Sequence, residues 1–184
     1  MARTEQASDQ LYTIGHSTRT LEDFVGLLRT HGVQKVVDVR TIAGSRKNPQ
    51  YNAEALVPAL RAAGIAYEHM KGLGGLRRPR KDSANTAWRN ASFRGYADYM
   101  QTEEFENSLA ALVREACSAR VAIMCAEALP WRCHRSMIAD ALTARGIRVE
   151  HIMSGAKTTP HSLTGWAKVD GQRITYPAME PRPS

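Results

Sequence analysis

Cys125, Glu127, Cys133, His134 and Arg135 fall within eleven residues of this chain, in the run CAEALPWRCHR. Few structural roles call for two thiols, a carboxylate, an imidazole and a guanidinium at that density. A cysteine among cations at a helix start has its thiolate favoured, and nucleophilic cysteines work from that state. Cys133 is flanked by Arg132, His134 and Arg135, whereas Cys125 ends an apolar run. Either sulfur can be the nucleophile, and the loop is short enough for the two to meet as nucleophile and resolving thiol. Glu127 and His134 form the candidate acid–base and orienting pair. Each residue also has a duller role: Cys125 as a small core residue, Glu127 as a loop acid, His134 as a surface histidine.

A metal centre is a competing use of the same atoms. Cys125, Cys133 and His134, with Glu127 or His16, offer the thiolate and imidazole ligands that zinc takes. Their spacing is not that of a common zinc knuckle, so no residue is assigned as a metal ligand, and the motifs assign no cofactor. Cys117 is expected to pack in the core.

The elements that must position these residues follow from periodicity. Leu11–Ile14 reads as a first strand stopped by Gly15. Leu21, Phe24, Val25 and Leu28 fall on one face of a helix, with Thr20 at its N-cap and Gly32 past its end. Lys35–Arg40 reads as a β-branched strand. A helix from Asn52 to about Ala63 contains Pro58, which suggests a kink or a later start. Ile65–His69 reads as a third strand, and Phe93–Met100 as a helix. Thr102 caps a further helix whose face is Phe105, Leu109, Leu112, Val113 and Ala116. Val121–Cys125 is the central strand. Its helix begins at Ser136, with Met137, Ile138, Ala141 and Leu142 on one side and Gly146 as its stop. Arg148–Met153 fits a fifth strand, and Asp170-Gly171 signals a two-residue hairpin.

Strands alternating with helices imply an α/β fold: a single domain over residues 11–178, with a mostly parallel five-stranded sheet, helices on both faces and a small C-terminal hairpin. Residues 1–10 and 179–184 read as disordered tails. Residues 76–92, without periodicity and rich in arginine (Arg77, Arg78, Arg80, Arg89), read as a functional flap or as disorder. In parallel sheets ligands bind at the carboxyl ends of the strands. That rule gathers His16, Asp38, Arg40, Ser45, Arg46, Gly74 and Gly75 onto one rim with the cysteine loop. Arg40, Arg46 and Arg135 are then candidate anion clamps, Asp38 and Arg40 a candidate strand-end ion pair, and His16 a candidate acid or ligand.

The 184 residues and 43% apolar content suffice for one good core. The net charge of +7 suits either plain solubility or an anionic partner, a phosphorylated metabolite or nucleic acid. Trp88 and Phe93 beside the arginine-rich stretch fit the stacking-plus-cation recipe for nucleic acid, though no nucleic-acid motif accompanies them. The polar start MARTEQASDQ lacks a signal-peptide core, no apolar run approaches the roughly 20 residues of a membrane span, and three cysteines form no disulfide framework. A cytoplasmic protein with free thiols and no membrane association is expected. Its expected function is that of an enzyme with an anion-binding site and a reactive cysteine, performing thiol-dependent transfer or hydrolysis. The alternatives are a nucleic-acid-binding module using the arginine-rich rim and a Cys/His metal-binding protein.

TIGHS at 13–17, VVDVR at 36–40, Ser45-Arg46, LGG at 73–75, FRGYADYM at 93–100, CAE at 125–127 and CHRSMIA at 133–139 together resemble the bacterial family catalogued as domain of unknown function 488. The resemblance runs from about Leu11 to Ser154. It implies a cytosolic single-domain protein and no particular activity. A looser similarity is to rhodaneses, through the DVR strand end, a strand ending in cysteine and Arg-Ser at a helix start. That likeness would make Cys125 the sulfur-carrying thiolate. Here, however, the loop is longer than a rhodanese's, holds a second cysteine and lacks the expected glycine. Protein tyrosine phosphatases share the thiolate-over-cradle idea, but they place five residues between Cys and Arg, whereas six separate Cys125 from Arg132.

Overall fold

Short β-branched runs form the strands of one sheet in the computed structural model, which describes residues 10–178. In chain order the elements are β1 (Gln10–Gly15), α1 (Leu21–Thr30), β2 (Lys35–Asp38), α2 (Ala53–Ala62), β3 (Ala66–His69), α3 (Ala91–Tyr99), α4 (Glu103–Ser118), β4 (Val121–Cys125), α5 (Arg135–Thr143), β5 (Arg148–Ser154), β6 (Lys157–Pro160), β7 (Lys168–Asp170) and β8 (Arg173–Thr175). The main sheet has the order β3-β2-β4-β1-β5-β6. Its first five strands run parallel, and β6 adds an antiparallel edge to the five strands expected. β7 and β8 form the expected hairpin. The expected tails lie outside the described residues, except that Gln10 already pairs with Arg148 in β1.

Alternation along each strand splits the core in two. Ile14, Val36, Ala122, Met124 and Ile152 point to one face, where Phe24, Leu28, Leu56 and Leu60 of α1 and α2 cover them. Val37, Ile123, Cys125 and Val149 point to the other, under α3, α4 and α5. Chain reversals between elements use left-handed glycines where the sequence places them, Gly32 and Gly146 among them. Thr20 and Thr102 cap α1 and α4 by accepting from Asp23 and Phe105 backbone N–H groups.

Several expectations need correction. The second strand ends at Asp38, and Arg40 follows it in the loop. α2 starts at Ala53 with Pro58 inside it, and Asn52 gives it no side-chain cap. Pro58 removes the hydrogen bond to the Glu54 carbonyl, but both residues face solvent, which makes that loss cheap. Cys117 is exposed; it sits one position past Ala116, off the buried face of α4. α5 is buried on all sides from Arg135 to Leu142, because the chain after β5 packs over its outer face. Residues 76–92 form an irregular flap laid on α3. The Asp98 carboxylate accepts from Arg80 N (2.8 Å), Ser83 Oγ (2.6 Å) and Asn85 Nδ2 (2.8 Å). Arg77 lies 3.5 Å over the Tyr99 ring. Trp88 stacks on Phe93 and meets Trp166 and Tyr176 edge-on, so its ring is used inside the protein. No helix among the described residues is long and apolar enough to cross a membrane.

Candidate functional site

β1 and β4 are neighbours, with Gly15 opposite Cys125, yet their following helices pack on opposite faces of the sheet. The chain therefore parts at their carboxyl ends, which is where open α/β sheets form a binding crevice. A cleft of about 710 Å³ opens there. Its floor carries Cys125, Cys133, His134 and His16. Ser45, Arg46, Lys47, Glu127 and Arg132 line its polar walls, and Leu76, Phe93 and Tyr96 its apolar wall. Of the residues singled out from sequence, Cys125, Glu127, Cys133, His134, His16, Ser45, Arg46 and Gly75 line this cleft, whereas Asp38, Arg40, Gly74 and Arg135 do not.

The loop after β4 is folded back by a 3-10 turn at Pro130–Arg132, which returns Cys133 to Cys125 and starts α5 at Arg135. Cys125 Sγ, Cys133 Sγ and a ring nitrogen of His134 lie within 4.8 Å of one another. His134 Nε2 is 3.0 Å from the Val39 carbonyl oxygen. A carbonyl only accepts, so Nε2 carries the hydrogen, and in the neutral ring Nδ1 is the lone pair. That lone pair faces Cys133 Sγ at 3.7 Å. The Tyr96 ring, its centroid 5.0 Å away, holds the imidazole from the side. Gly75 leaves it room, since a Cβ there would stand 3.1 Å from Nδ1.

The two thiols divide the proton unequally. A hydrogen bond from Cys125, with His134 and the Arg135 charge, holds the Cys133 thiol well below its ordinary range against the penalty of burial. The same hydrogen bond and burial push the Cys125 thiol well up. The start of α5 adds the positive end of the helix dipole on the same side.

His16 is 1% exposed, stacked on Tyr51 with ring centroids 4.0 Å apart. Its Nδ1 donates to the Ser17 carbonyl at 2.8 Å, which leaves Nε2 a lone pair without a hydrogen-bond partner. Burial lowers its pKa, and the Arg40 charge lowers it further. Among the described residues Ser17 and Leu76 are the non-glycine residues with positive φ, at 50° and 54°, and both line the cleft. Strained backbone of this kind persists where the surroundings over-determine it.

The two arginines that miss the cleft are tied down beneath it. Arg40 makes the ion pair suggested by its spacing: Nη2 meets Asp38 Oδ2 at 2.6 Å and Nε donates to Oδ1 at 2.9 Å. The same Nη2 donates to the Tyr51 carbonyl. Arg135, 1% exposed, donates from Nη2 to the Glu127 carbonyl at 2.6 Å and so pins the cysteine loop. Gly74 serves packing: a Cβ there would press on Thr41.

Sequence spacing gave no sign of what holds Arg135. Thr13, His151, His161 and Asp140 form a buried chain of hydrogen bonds behind it. Asp140 Oδ1 accepts from His161 Nε2 (2.8 Å), and in the neutral ring His161 Nδ1 then accepts from His151 Nε2 (3.0 Å). His151 Nδ1 then accepts from Thr13 Oγ1 (2.8 Å), and Thr13 Oγ1 accepts from Arg135 Nη1 at 3.5 Å. Each link fixes the direction of the next, running from guanidinium to carboxylate. Asp140 Oδ2 also accepts from Tyr176 OH (2.8 Å). The partners are separated by 10 to 138 positions, beyond any local pattern.

No curated protein and no solved structure matches the chain. A family model does, over residues 20–142, about two thirds of the sequence. That span takes in Arg46, Gly75 and the whole cysteine loop, while His16 lies just before it. The chain belongs to the family described as Domain of unknown function DUF488.

Proposed function

We propose that this protein is a thiol-dependent enzyme that transfers or hydrolyses a group on a small anionic substrate through a covalent intermediate on Cys133. One observation carries the reading: the Val39 carbonyl fixes the His134 tautomer so that a lone pair faces Cys133 Sγ at 3.7 Å. This is the nucleophile, base and orienting group of covalent catalysis. His134 Nδ1 takes the Cys133 thiol proton, and the imidazolium so formed holds the thiolate in place. In the reaction the Cys133 sulfur bonds to the electrophilic atom, and the leaving group departs with the proton that His134 Nδ1 took from the thiol. The same nitrogen then deprotonates the water or acceptor that frees the sulfur. Glu127, exposed on the cleft wall, exchanges a proton with the substrate in this reading.

Arg46, Lys47 and Arg132 on the walls supply the positive field for an anion. Leu76, Phe93 and Tyr96 take an apolar portion, and the volume is in the range of small-molecule sites. A rhodanese-like sulfur transfer would load Cys125 instead; Cys133 is favoured because His134 Nδ1 stands 3.7 Å from its sulfur.

Iodoacetamide labelling resolved by peptide mass spectrometry tests this. At pH 7 Cys133 should label well ahead of exposed Cys117, and inorganic sulfate should slow it, less so in Arg46→Ala. Labelling of Cys133 no faster than Cys117 in metal-free protein refutes the proposal.

A further inference from the structure

The three atoms on the cleft floor lie close enough together to share a single ion. Two atoms bound to one tetrahedral zinc, sulfur at about 2.3 Å and nitrogen at about 2.0 Å, stand about 3.5 Å apart. Cys133 Sγ and His134 Nδ1 are 3.7 Å apart, and Cys125 Sγ completes a triangle whose atoms lie within 4.8 Å. His134 meets a second condition. Metal-bound imidazoles donate their other ring N–H to a carboxylate or backbone carbonyl, which aims the lone pair, and His134 Nε2 does so to Val39. A third condition is access. All three residues line the 710 Å³ cleft, so a cation held by them would keep its fourth side toward that space. Two sulfurs and one imidazole nitrogen select a thiophilic ion over magnesium or calcium, which take oxygen.

We propose that Cys125, Cys133 and His134 form a site for one thiophilic divalent cation of zinc's class, with three protein ligands and a fourth position open to the cleft. This rests on the reading of Cys133 as the working nucleophile. The cation caps that sulfur, so the loaded protein is a protected resting form and activity requires its removal. Binding forms two sulfur–metal bonds and one nitrogen–metal bond. Any thiol still protonated releases its proton to solvent, and no electron is transferred. Two thiolates balance the charge of the ion, so the loaded site is neutral above buried Arg135 and Arg40.

Cobalt(II) titration of the full chain, stripped with a chelator, tests the proposal. One equivalent per chain should give sulfur-to-cobalt charge-transfer absorption with tetrahedral ligand-field bands, and zinc should bleach both. Cys125→Ser and Cys133→Ser should each weaken the charge-transfer band, their combination should abolish it, and Cys117→Ser should leave it intact. X-ray absorption on the zinc-loaded wild type needs no variant and should show a shell of two sulfurs. The absence of a thiolate–cobalt band, its survival in the double variant, or a shell of oxygen and nitrogen alone overturns the proposal. The two readings fail separately. Rapid Cys133 labelling in stripped protein without a cobalt band removes the metal site and leaves the nucleophile. A cobalt band with Cys133 no faster than Cys117 overturns the capping role.

Discussion

Replacing Gly15 by alanine should disable the site from behind, at a position that touches no substrate. An added Cβ would overlap the Glu127 carbonyl oxygen and stand 2.7 Å from its carbon and 2.9 Å from Ala128 Cα, where real contacts stop near 3.0 Å. All three atoms are backbone, so the peptide must retreat by roughly 1 Å. The same carbonyl is the short partner of Arg135 Nη2, at 2.6 Å. Retreat therefore also weakens the bond that pins the cysteine loop and leaves a buried guanidinium under-satisfied. Overpacking costs about 1–3 kcal/mol and a hydrogen bond to a charged group about 1.5–3 kcal/mol. Because both act through the same atoms they do not add, and about 3 kcal/mol is expected. For a chain of this length that lowers Tm by roughly 6–12 °C. Thermal unfolding followed by circular dichroism gives the first readout, and the Cys133 labelling rate, which should fall toward that of Cys117, gives the second. Gly26→Ala is the control. It lies within α1 with nothing within 4 Å of the added carbon, and should stabilise by about 0.5–1 kcal/mol. A Gly15→Ala protein with unchanged Tm and unchanged labelling would show that the loop is not held this way.

Two further outcomes concern the buried chain behind Arg135. Burial and the neighbouring His161 push His151 down to about 4. Between about pH 6.5 and 4 the unfolded chain therefore binds a proton at this residue that the folded one refuses, and stability falls as pH falls. From pH 7 to pH 5 the loss is about 2 kcal/mol. Urea unfolding at the two pH values should show it, and His151→Gln should shrink the difference; an equal difference in the variant rejects the assignment. Asp140→Asn cannot accept from His161, Thr164 and Tyr176 together, so about 3 kcal/mol should be lost. Hydrogen exchange should rise across 161–176, and a wild-type exchange pattern there would count against the carboxylate as the latch.

What the sequence disclosed and what it hid divide along physical lines. The parallel strands, the helix faces and their threonine caps were legible because each depends on residues within one or two turns. The convergence of His16, the Ser45-Arg46 loop, Gly75 and the cysteine loop was legible through the strand-end rule alone, before any distance. β6 was not: KTTP is a polar edge strand that owes its place to pairing with β5 rather than to its own pattern. Arg135 reads like a clamp beside Cys133, yet as the first residue of a helix buried on every side its chain runs inward to the Glu127 carbonyl. Arg40 reads as both ion pair and clamp, and Asp38 with the Tyr51 carbonyl holds its Nε and Nη2 away from the cleft. Exposed Cys117 shows the cost of counting a residue beside a buried face as part of it. The His134 tautomer depends on a carbonyl 95 positions away, and so does the choice between Cys125 and Cys133.

Titrating the thiols by their thiolate ultraviolet absorbance, in metal-free wild type, Cys117→Ser and Cys133→Ser, addresses the central claim directly. One thiolate should form well below the ordinary cysteine range near 8.5 and vanish in Cys133→Ser, with a second thiol, Cys125, ionising well above that range. Three thiols titrating together near 8.5, or a low-pH thiolate that survives Cys133→Ser, would contradict it.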